Sequence, residues 1–186
     1  VLTVLAVLTV PFFLFLPSVN ATIGIGDAYI MAIAMMYGVS PCIITTLCHT
    51  IIASIISPRQ TRVYLHRVVY NASSLVCGAW LYSSIYQLMN PDHSIALQHI
   101  ILPAALLMST LFLFNSITTS VAIGWALNER VLDFWAKNCL PLAIDFSVSS
   151  VSATFIASLS YFEWYVPLGA APLVGVVWGW NKLNKA

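Results

Sequence analysis

Residues 97–127 read LQHIILPAALLMSTLFLFNSITTSVAIGWAL, and this stretch contains no Asp, Glu, Lys or Arg. A helix needs about 20 apolar residues to cross the hydrocarbon core of a bilayer, which is roughly 30 Å thick. The stretch therefore predicts a long membrane-spanning helix. Because it is longer than a perpendicular helix needs to be, it also predicts a tilt, a kink near Pro103 or a protruding end.

The rest of the chain has a similar composition. Hydrophobic residues make up 60% of the 186 residues and charged residues 7%, whereas a soluble domain is about half apolar and about a quarter charged. These proportions argue against a soluble fold, and the apolar runs do not alternate as the strands of a transmembrane barrel do. We therefore expect an all-α integral membrane protein, a polytopic bundle of about seven transmembrane helices, with about six as the alternative.

Turn signals divide the chain into spans that belong to a single transmembrane domain over residues 1–186. The breaks are Pro17 and the turn-forming segments 38–41, 57–60 and 90–94. Segment 128–138 mixes charged and aromatic residues, a pattern typical of a short helix that lies in the membrane interface. The approximate spans are 1–16, 27–37, 41–56, 64–88, 97–127, 139–161 and 166–180.

The basic residues predict the topology, because cytoplasmic loops retain Lys and Arg. With seven spans all of them fall on one face, whereas six spans scatter them over both faces. They follow the third, fifth and seventh spans: Arg59, Arg62, Arg67, Arg130, Lys137, Lys182 and Lys185. This pattern predicts a multi-pass protein with a cytoplasmic C-terminus. No charged region precedes the first span, so we expect Val1 not to be the native start.

Charge and motifs also limit the possible functions. The net charge of +1 provides no basic surface for nucleic acid, so we expect the partners to be membrane lipid, a ligand or other subunits. The sequence has no P-loop, HExxH or GxSxG motif, which predicts that the chain is not an enzyme. Its four histidines share no spacing and its four cysteines form no CxxC pair, which predicts no metal site and no cofactor.

Polar side chains at membrane depth are the candidate ligand-binding residues, because they are costly to desolvate. Asn71 and Asn115 lie in two similar segments, each with an aromatic–Asn step, then small residues, then Trp80 or Trp125. The similarity indicates an internal duplication. The two asparagines either line a ligand pocket together with these tryptophans or hydrogen-bond across helices.

Asp145 is the strongest single candidate, because a carboxylate inside a span needs a partner. Its partner is expected to be His49, His99 or a ligand, and its role either proton or cation binding or a hydrogen-bonded structural role. His49 is itself a candidate ligand residue, with helix packing as the alternative. Asp27 is expected to cap the second span, since carboxylates accept hydrogen bonds from unpaired N–H groups at helix starts.

Gly175 and Gly179 form a GxxxG step in the last span, beside Trp178 and Trp180. Small residues at this spacing let two helices approach closely. The step therefore predicts close helix packing, either within the bundle or between two copies in a homodimer.

Four stretches of the sequence resemble a known family over about residues 18–182. They are 21–27 (ATIGIGD), 67–75 (RVVYNASSL), 113–115 (LFN) and 131–135 (VLDFW). With the predicted spans, they resemble the vitamin-uptake-like sensor (VUPS-type) domains, which are N-terminal membrane domains of bacterial cyclic-di-GMP signalling proteins. The resemblance implies a sensor domain of the bacterial inner membrane that binds a small or lipophilic ligand between its helices and signals to a cytoplasmic output domain or partner.

Two alternative functions stay open. The sensor family is distantly similar to the substrate-binding S components of energy-coupling-factor (ECF) transporters, which implies a subunit that binds a vitamin or another small molecule for transport. The third hypothesis is a structural accessory subunit of a larger membrane complex, in which the polar residues only pack helices. Large exposed apolar grooves on the bundle would favour this third hypothesis.

Overall fold

The computed structural model describes residues 1–10, 13–16, 21–56, 65–92, 94 and 97–159. Within these ranges the chain is helical, as its composition predicts, apart from one short two-stranded sheet. The α-helices are Leu2–Leu8 (α1), Ile25–Tyr37 (α2), Val39–Ile56 (α3), Leu65–Met89 (α4), Leu97–Leu127 (α5), Val131–Phe134 (α6) and Ala143–Leu159 (α7). A π-helical segment, Trp135–Cys139, and a 3₁₀ segment, Leu140–Leu142, connect α6 to α7. The last predicted span, 166–180, lies outside the described residues.

The N-terminal segment differs from the single helix predicted over residues 1–16. Helix α1 has seven residues, and the chain continues as strand β1, Phe13–Leu16, which pairs antiparallel with β2, Ala21–Gly24. Pro11 explains the difference, because proline donates no N–H and its ring clashes with the carbonyl one turn earlier in a helix. At about 1.5 Å per residue, α1 is about 10 Å long and too short to cross a bilayer as a helix.

Two helical stretches are long and apolar enough to cross a membrane by length and composition, Val39–Ile56 and His99–Leu127. Helix α7 adds the shorter apolar stretch Phe146–Leu159. Helix α4 has 25 residues but a more polar sequence, and α2 has 13. The described residues therefore form a helical bundle with two candidate membrane-spanning helices, and the count of seven spans stays a prediction.

Local backbone geometry explains where two of the helices end. Gly38 separates α2 from α3 with φ of 82°, a left-handed conformation that glycine adopts without strain. Asn128 ends α5 with φ of 56°, which asparagine tolerates better than most residues. Its N–H donates to the carbonyl of Trp125, and the N–H of Glu129 donates to that of Gly124. These two bonds form a Schellman motif, which satisfies the last carbonyls of the helix.

Helices α3, α4 and α5 alternate in direction. Cys42 near the start of α3 lies 3.2 Å, Sγ to hydroxyl, from Tyr82 towards the end of α4. Tyr70 near the start of α4 donates its hydroxyl proton to the carbonyl of Thr118 towards the end of α5, at 2.9 Å. The end of α3, the start of α4 and the end of α5 therefore lie at one end of the bundle. The basic segments that follow α3 and α5 in the sequence are attached at this end.

Helix α2 forms the centre of the core. Its residues from Ala28 to Met35 are all buried, because α1, α3, α4 and α7 pack around it. A helix that is hydrophobic on all sides is buried in this way. The only charged residue of α2, Asp27, precedes this buried stretch and is held close to the core.

Helix α3 buries its polar face and exposes its apolar face. The buried residues of α3 are Cys42, Thr45, Thr46 and Thr50. The opposite face carries the exposed side chains Ile44, Leu47, Ile51 and Ile55. This is the reverse of the arrangement in a surface helix of a soluble protein, whose apolar stripe faces the core.

Candidate functional site

The candidate site forms around Asp27. This residue is the third of α2 rather than its N-cap, and it lies in the first helical turn. A carboxylate in the first turn is favoured by the unpaired N–H groups and the positive end of the helix dipole. The electrostatic partner of Asp27 among the described residues is His49 of α3.

His49 packs against Gly26, the residue that precedes Asp27. A Cβ atom at position 26 would lie 2.9 Å from Cδ2 of the imidazole and 3.2 Å from the carbonyl oxygen of Ala6 in α1. Glycine at this position therefore leaves room for the ring between α1, α2 and α3. The close approach of α2 and α3 at this point brings His49 beside Asp27.

Two buried hydroxyl groups of α3 face the same space. Thr46 and Thr50 are each 4% exposed. Within the described residues, neither Oγ1 atom has a hydrogen-bond partner of normal geometry, although Thr46 lies next to the Tyr82 hydroxyl. Buried polar groups in proteins are almost always hydrogen-bonded, so two unpaired hydroxyls at one place indicate room for a bound water or ligand.

A small cavity between α2, α3, α4 and α5 joins these groups. The centre of a water molecule can reach about 30 Å³ of this cavity, and a single buried water needs about 10–15 Å³. The space therefore suits one or two particles of the size of water. We call it the Asp27 cavity. Its lining is polar on α2 and α3 and mostly apolar on the other sides: Asp27, Ile30, Thr46, His49, Thr50, Leu75, Tyr82 and Leu111.

Tyr82 closes the cavity on the side of α4. Its side chain is 2% exposed, and its hydroxyl lies 3.2 Å from the Sγ atom of Cys42. The same sulfur lies 3.8 Å from the carbonyl oxygen of Ile30 in α2. Tyr82 and Cys42 thus connect α2, α3 and α4 beside the cavity, so a displacement of Tyr82 affects the packing of all three helices.

Comparison with known proteins gives no match. No family model, curated protein or solved structure is significantly similar to the chain. The resemblance to the sensor family therefore stays a prediction, and the chemistry of the Asp27 cavity is the basis for inferring a function.

Among the sequence-predicted ligand residues whose side chains the structure describes, one lines the Asp27 cavity. His49 lines the Asp27 cavity. Asn71 and Trp80 are exposed on α4. Trp125 is 77% exposed near the end of α5, and Asn115 is half-buried on the same helix. These four residues do not line the Asp27 cavity.

The remaining predicted residues fall outside what the structure describes. Asp145 belongs to α7, but its side chain is not among the described ones. Gly175 and Gly179 lie beyond the last described residue. The predictions of a ligand role for Asp145 and of close packing through the glycines therefore stay open.

The hydrogen bonds between α4 and α5 come from neighbours of the two asparagines. Thr118 accepts a hydrogen bond from Tyr70 through its backbone carbonyl and one from Ser74, at 3.3 Å, through its own hydroxyl. Gly78 packs against Phe114, whose ring atom Cδ1 would lie 3.1 Å from an added Cβ. The two similar segments thus pack against each other, and hydroxyl groups join them.

Thr46 and Thr50 are not among the sequence-predicted site residues, and Asp27 is predicted only as a helix cap. A usable signal was present, because Thr46, His49 and Thr50 follow the i, i+3, i+4 spacing of one helix face. A polar face within an apolar helix indicates which side turns inward when the surroundings are lipid.

A second cavity is an open groove of about 470 Å³ between α5 and α7. Its walls are mainly apolar and include Ile101, Met108, Val151 and Phe155. The groove has no titratable side chain among its described lining residues. It therefore offers shape and apolar surface but no charged group to a partner.

Proposed function

We propose that this chain is a membrane-embedded sensor domain that binds a small polar ligand in the Asp27 cavity and signals to a cytoplasmic output domain or partner. One observation carries the proposal. A carboxylate, an imidazole and two unpaired buried hydroxyls surround a space for particles of the size of water. Ionisable residues within a membrane domain are costly, so they are by default candidates for function.

The reversed polarity of α3 supports the membrane setting. Its exposed face carries Ile and Leu side chains, and only 22% of the residues of the helix are buried. The central helix of a soluble protein would be mostly buried, and a surface helix of such a protein would expose polar residues. Lipid would cover the apolar face of α3, whereas water would leave it unfavourably exposed.

The proposed location is the bacterial inner membrane, with a cytoplasmic C-terminus. The alternating directions of α3, α4 and α5 support this orientation, because they attach two basic segments at the same end of the bundle. Basic residues are retained on the cytoplasmic side. The output domain or partner would therefore meet the end of the bundle formed by residues 56, 65 and 128–130.

The position of the cavity suits a sensor, because it lies where four helices meet. A ligand shifts a conformational equilibrium only if it binds one arrangement more tightly than the other. A ligand held by Asp27 on α2 and by two hydroxyls on α3 would favour the arrangement that keeps these helices close. The Tyr82–Cys42 contact would transmit a change in their separation to α4.

Thermal unfolding of the detergent-purified protein tests ligand binding. The panel contains inorganic salts, small polar metabolites, vitamins and quinones, and each compound is compared between wild type and Asp27→Asn. We expect at least one small polar compound to stabilise wild type but not Asp27→Asn. Asp133→Asn is the matched control, because Asp133 is exposed on α6 and its loss leaves the cavity intact. A panel in which nothing stabilises wild type would contradict the proposal.

Membrane extraction tests separately whether the chain is embedded in the membrane. We expect the chain to stay in the membrane pellet after alkaline carbonate treatment and to need detergent for solubility. Recovery of a stable, monodisperse protein without detergent would contradict a membrane-embedded domain.

The groove between α5 and α7 favours a second candidate function, an accessory subunit of a larger membrane complex. A partner helix could cover the apolar walls of this groove. This candidate predicts that the chain is stable only with its partner subunits. A purified chain that is stable alone and responds to a ligand through Asp27 would contradict it.

A further inference from the structure

We infer that the ligand of the Asp27 cavity is a monovalent cation of about the size of a water molecule, such as ammonium or an alkali ion. This inference rests on the proposed function and specifies its ligand. The cavity has the size of such an ion. About 30 Å³ is open to the centre of a water molecule, whereas pockets for small organic ligands measure about 300–1,000 Å³.

Charge also favours a monovalent cation. Asp27 is the only carboxylate in the described lining of the cavity, and an ionised carboxylate that faces apolar side chains needs a compensating charge. One positive charge balances the carboxylate, whereas a divalent ion would leave an excess positive charge in an apolar surrounding. The described residues also contain no group of three or more His, Cys, Asp or Glu side chains that would hold a divalent metal. An anion would be repelled by Asp27.

The cavity also presents oxygen atoms that can accept hydrogen bonds or bind a cation. Thr46 and Thr50 contribute hydroxyl oxygens that have no hydrogen-bond partner among the described residues. A hydroxyl oxygen offers two lone pairs and an ionised carboxylate about four. Together these groups place acceptors on one side of the cavity, while Leu75 and Leu111 make its other side apolar.

The experiment measures thermal unfolding in chloride salts of equal ionic strength: ammonium, sodium, potassium and N-methyl-D-glucamine. The last cation is too large for the cavity and serves as the reference. We expect one of the small cations to raise Tm by about 5–10 °C when its concentration is 100 times Kd. We expect Asp27→Asn to abolish this difference, because it removes the balancing charge and keeps the shape of the side chain.

Thr50→Val gives a graded test. It removes one acceptor and keeps the shape, so we expect the midpoint of the cation titration to rise about tenfold. Thr45→Val is its matched control on the same helix, because the Thr45 hydroxyl bonds to that of Thr3, at 3.0 Å, and does not line the cavity. Thr45→Val and the exposed-carboxylate variant Asp133→Asn are expected to keep the full response.

Several results would overturn the cation assignment. Equal Tm values in all four salts would do so, as would a cation response that survives Asp27→Asn. If Asp27→Asn does not fold, an unchanged titration midpoint in Thr50→Val decides against it. If a neutral compound stabilises wild type through Asp27 and no cation does, the assignment of the ligand as a cation is refuted. The proposed ligand-binding function would remain. No response to any compound would refute both.

Discussion

The contact between Gly26 and His49 gives the most direct test of the site geometry. In Gly26→Ala, the new methyl group would lie 2.9 Å from Cδ2 of His49 and 3.2 Å from the Ala6 carbonyl oxygen. Overpacking of this kind costs about 1–3 kcal/mol. For a chain of this size, 1 kcal/mol corresponds to about 2–4 °C in Tm. We therefore expect Gly26→Ala to lower Tm by about 2–12 °C.

A double-mutant cycle with His49→Ala separates the energetic cost of the contact with the imidazole ring from the cost of the other contacts at position 26. Once the imidazole is removed, the methyl group at position 26 would lie 3.2 Å from the Ala6 carbonyl oxygen, a tight but tolerable distance. We expect Gly26→Ala to cost about 1–2 kcal/mol less in the His49→Ala background than in wild type, a coupling typical of residues in contact. Reversible thermal or denaturant unfolding in one detergent measures the free energy of unfolding of wild type, the two single variants and the double variant. An equal cost in both backgrounds would refute the packing of His49 on Gly26.

Three further predictions concern the rest of the bundle. Gly38→Ala is expected to lower stability by about 1–3 kcal/mol, measured by thermal unfolding, because φ of 82° strains alanine; an unchanged Tm would contradict this turn. Trp135→Phe keeps the aromatic ring but removes the 2.9 Å hydrogen bond from Nε1 to Ser116, so we expect a loss of about 1 kcal/mol in the same assay. Single cysteines at positions 62 and 130 are expected to react with an impermeant reagent from the same side of the membrane, and labelling from opposite sides would contradict the alternation of α3, α4 and α5.

The longest helices could be predicted from the sequence because their limits are local. The predicted span 97–127 coincides with α5, and the predicted span 64–88 lies within one residue of α4 at each end. Turn-forming residues at 90–94 and Asn128 stop these helices, and such signals act over a few residues. The N-terminal segment could not be predicted in this way. An apolar run of about 16 residues is compatible with a helix or with a short helix followed by a strand, and the sequence-based prediction of one helix over residues 1–16 takes no account of Pro11.

The candidate site depended on information that the sequence does not carry locally. His49 was predicted as a candidate, but Asp27 was assigned only to a helix cap, and they belong to separate helices. Their proximity follows from the close approach of α2 and α3 at Gly26. The orientation of Asn71 and Trp80 was equally inaccessible, because in an apolar bundle the core and the lipid are alike and hydrophobic periodicity does not mark the inner face.

The energetic cost of the Asp27 cavity distinguishes a binding site from a packing device. If the polar groups only packed helices, their removal would destabilise the bundle, because each partner would lose an interaction. The Asp27 carboxylate, however, interacts with His49, and removing an ionised carboxylate from water costs far more than removing an amide of the same shape. We therefore expect Asp27→Asn without added small cations to be at least as stable as wild type, while it loses the ligand response. Such a gain in stability at the expense of function is the pattern of a binding site. A marked loss of stability in Asp27→Asn under these conditions would instead assign the carboxylate to helix packing.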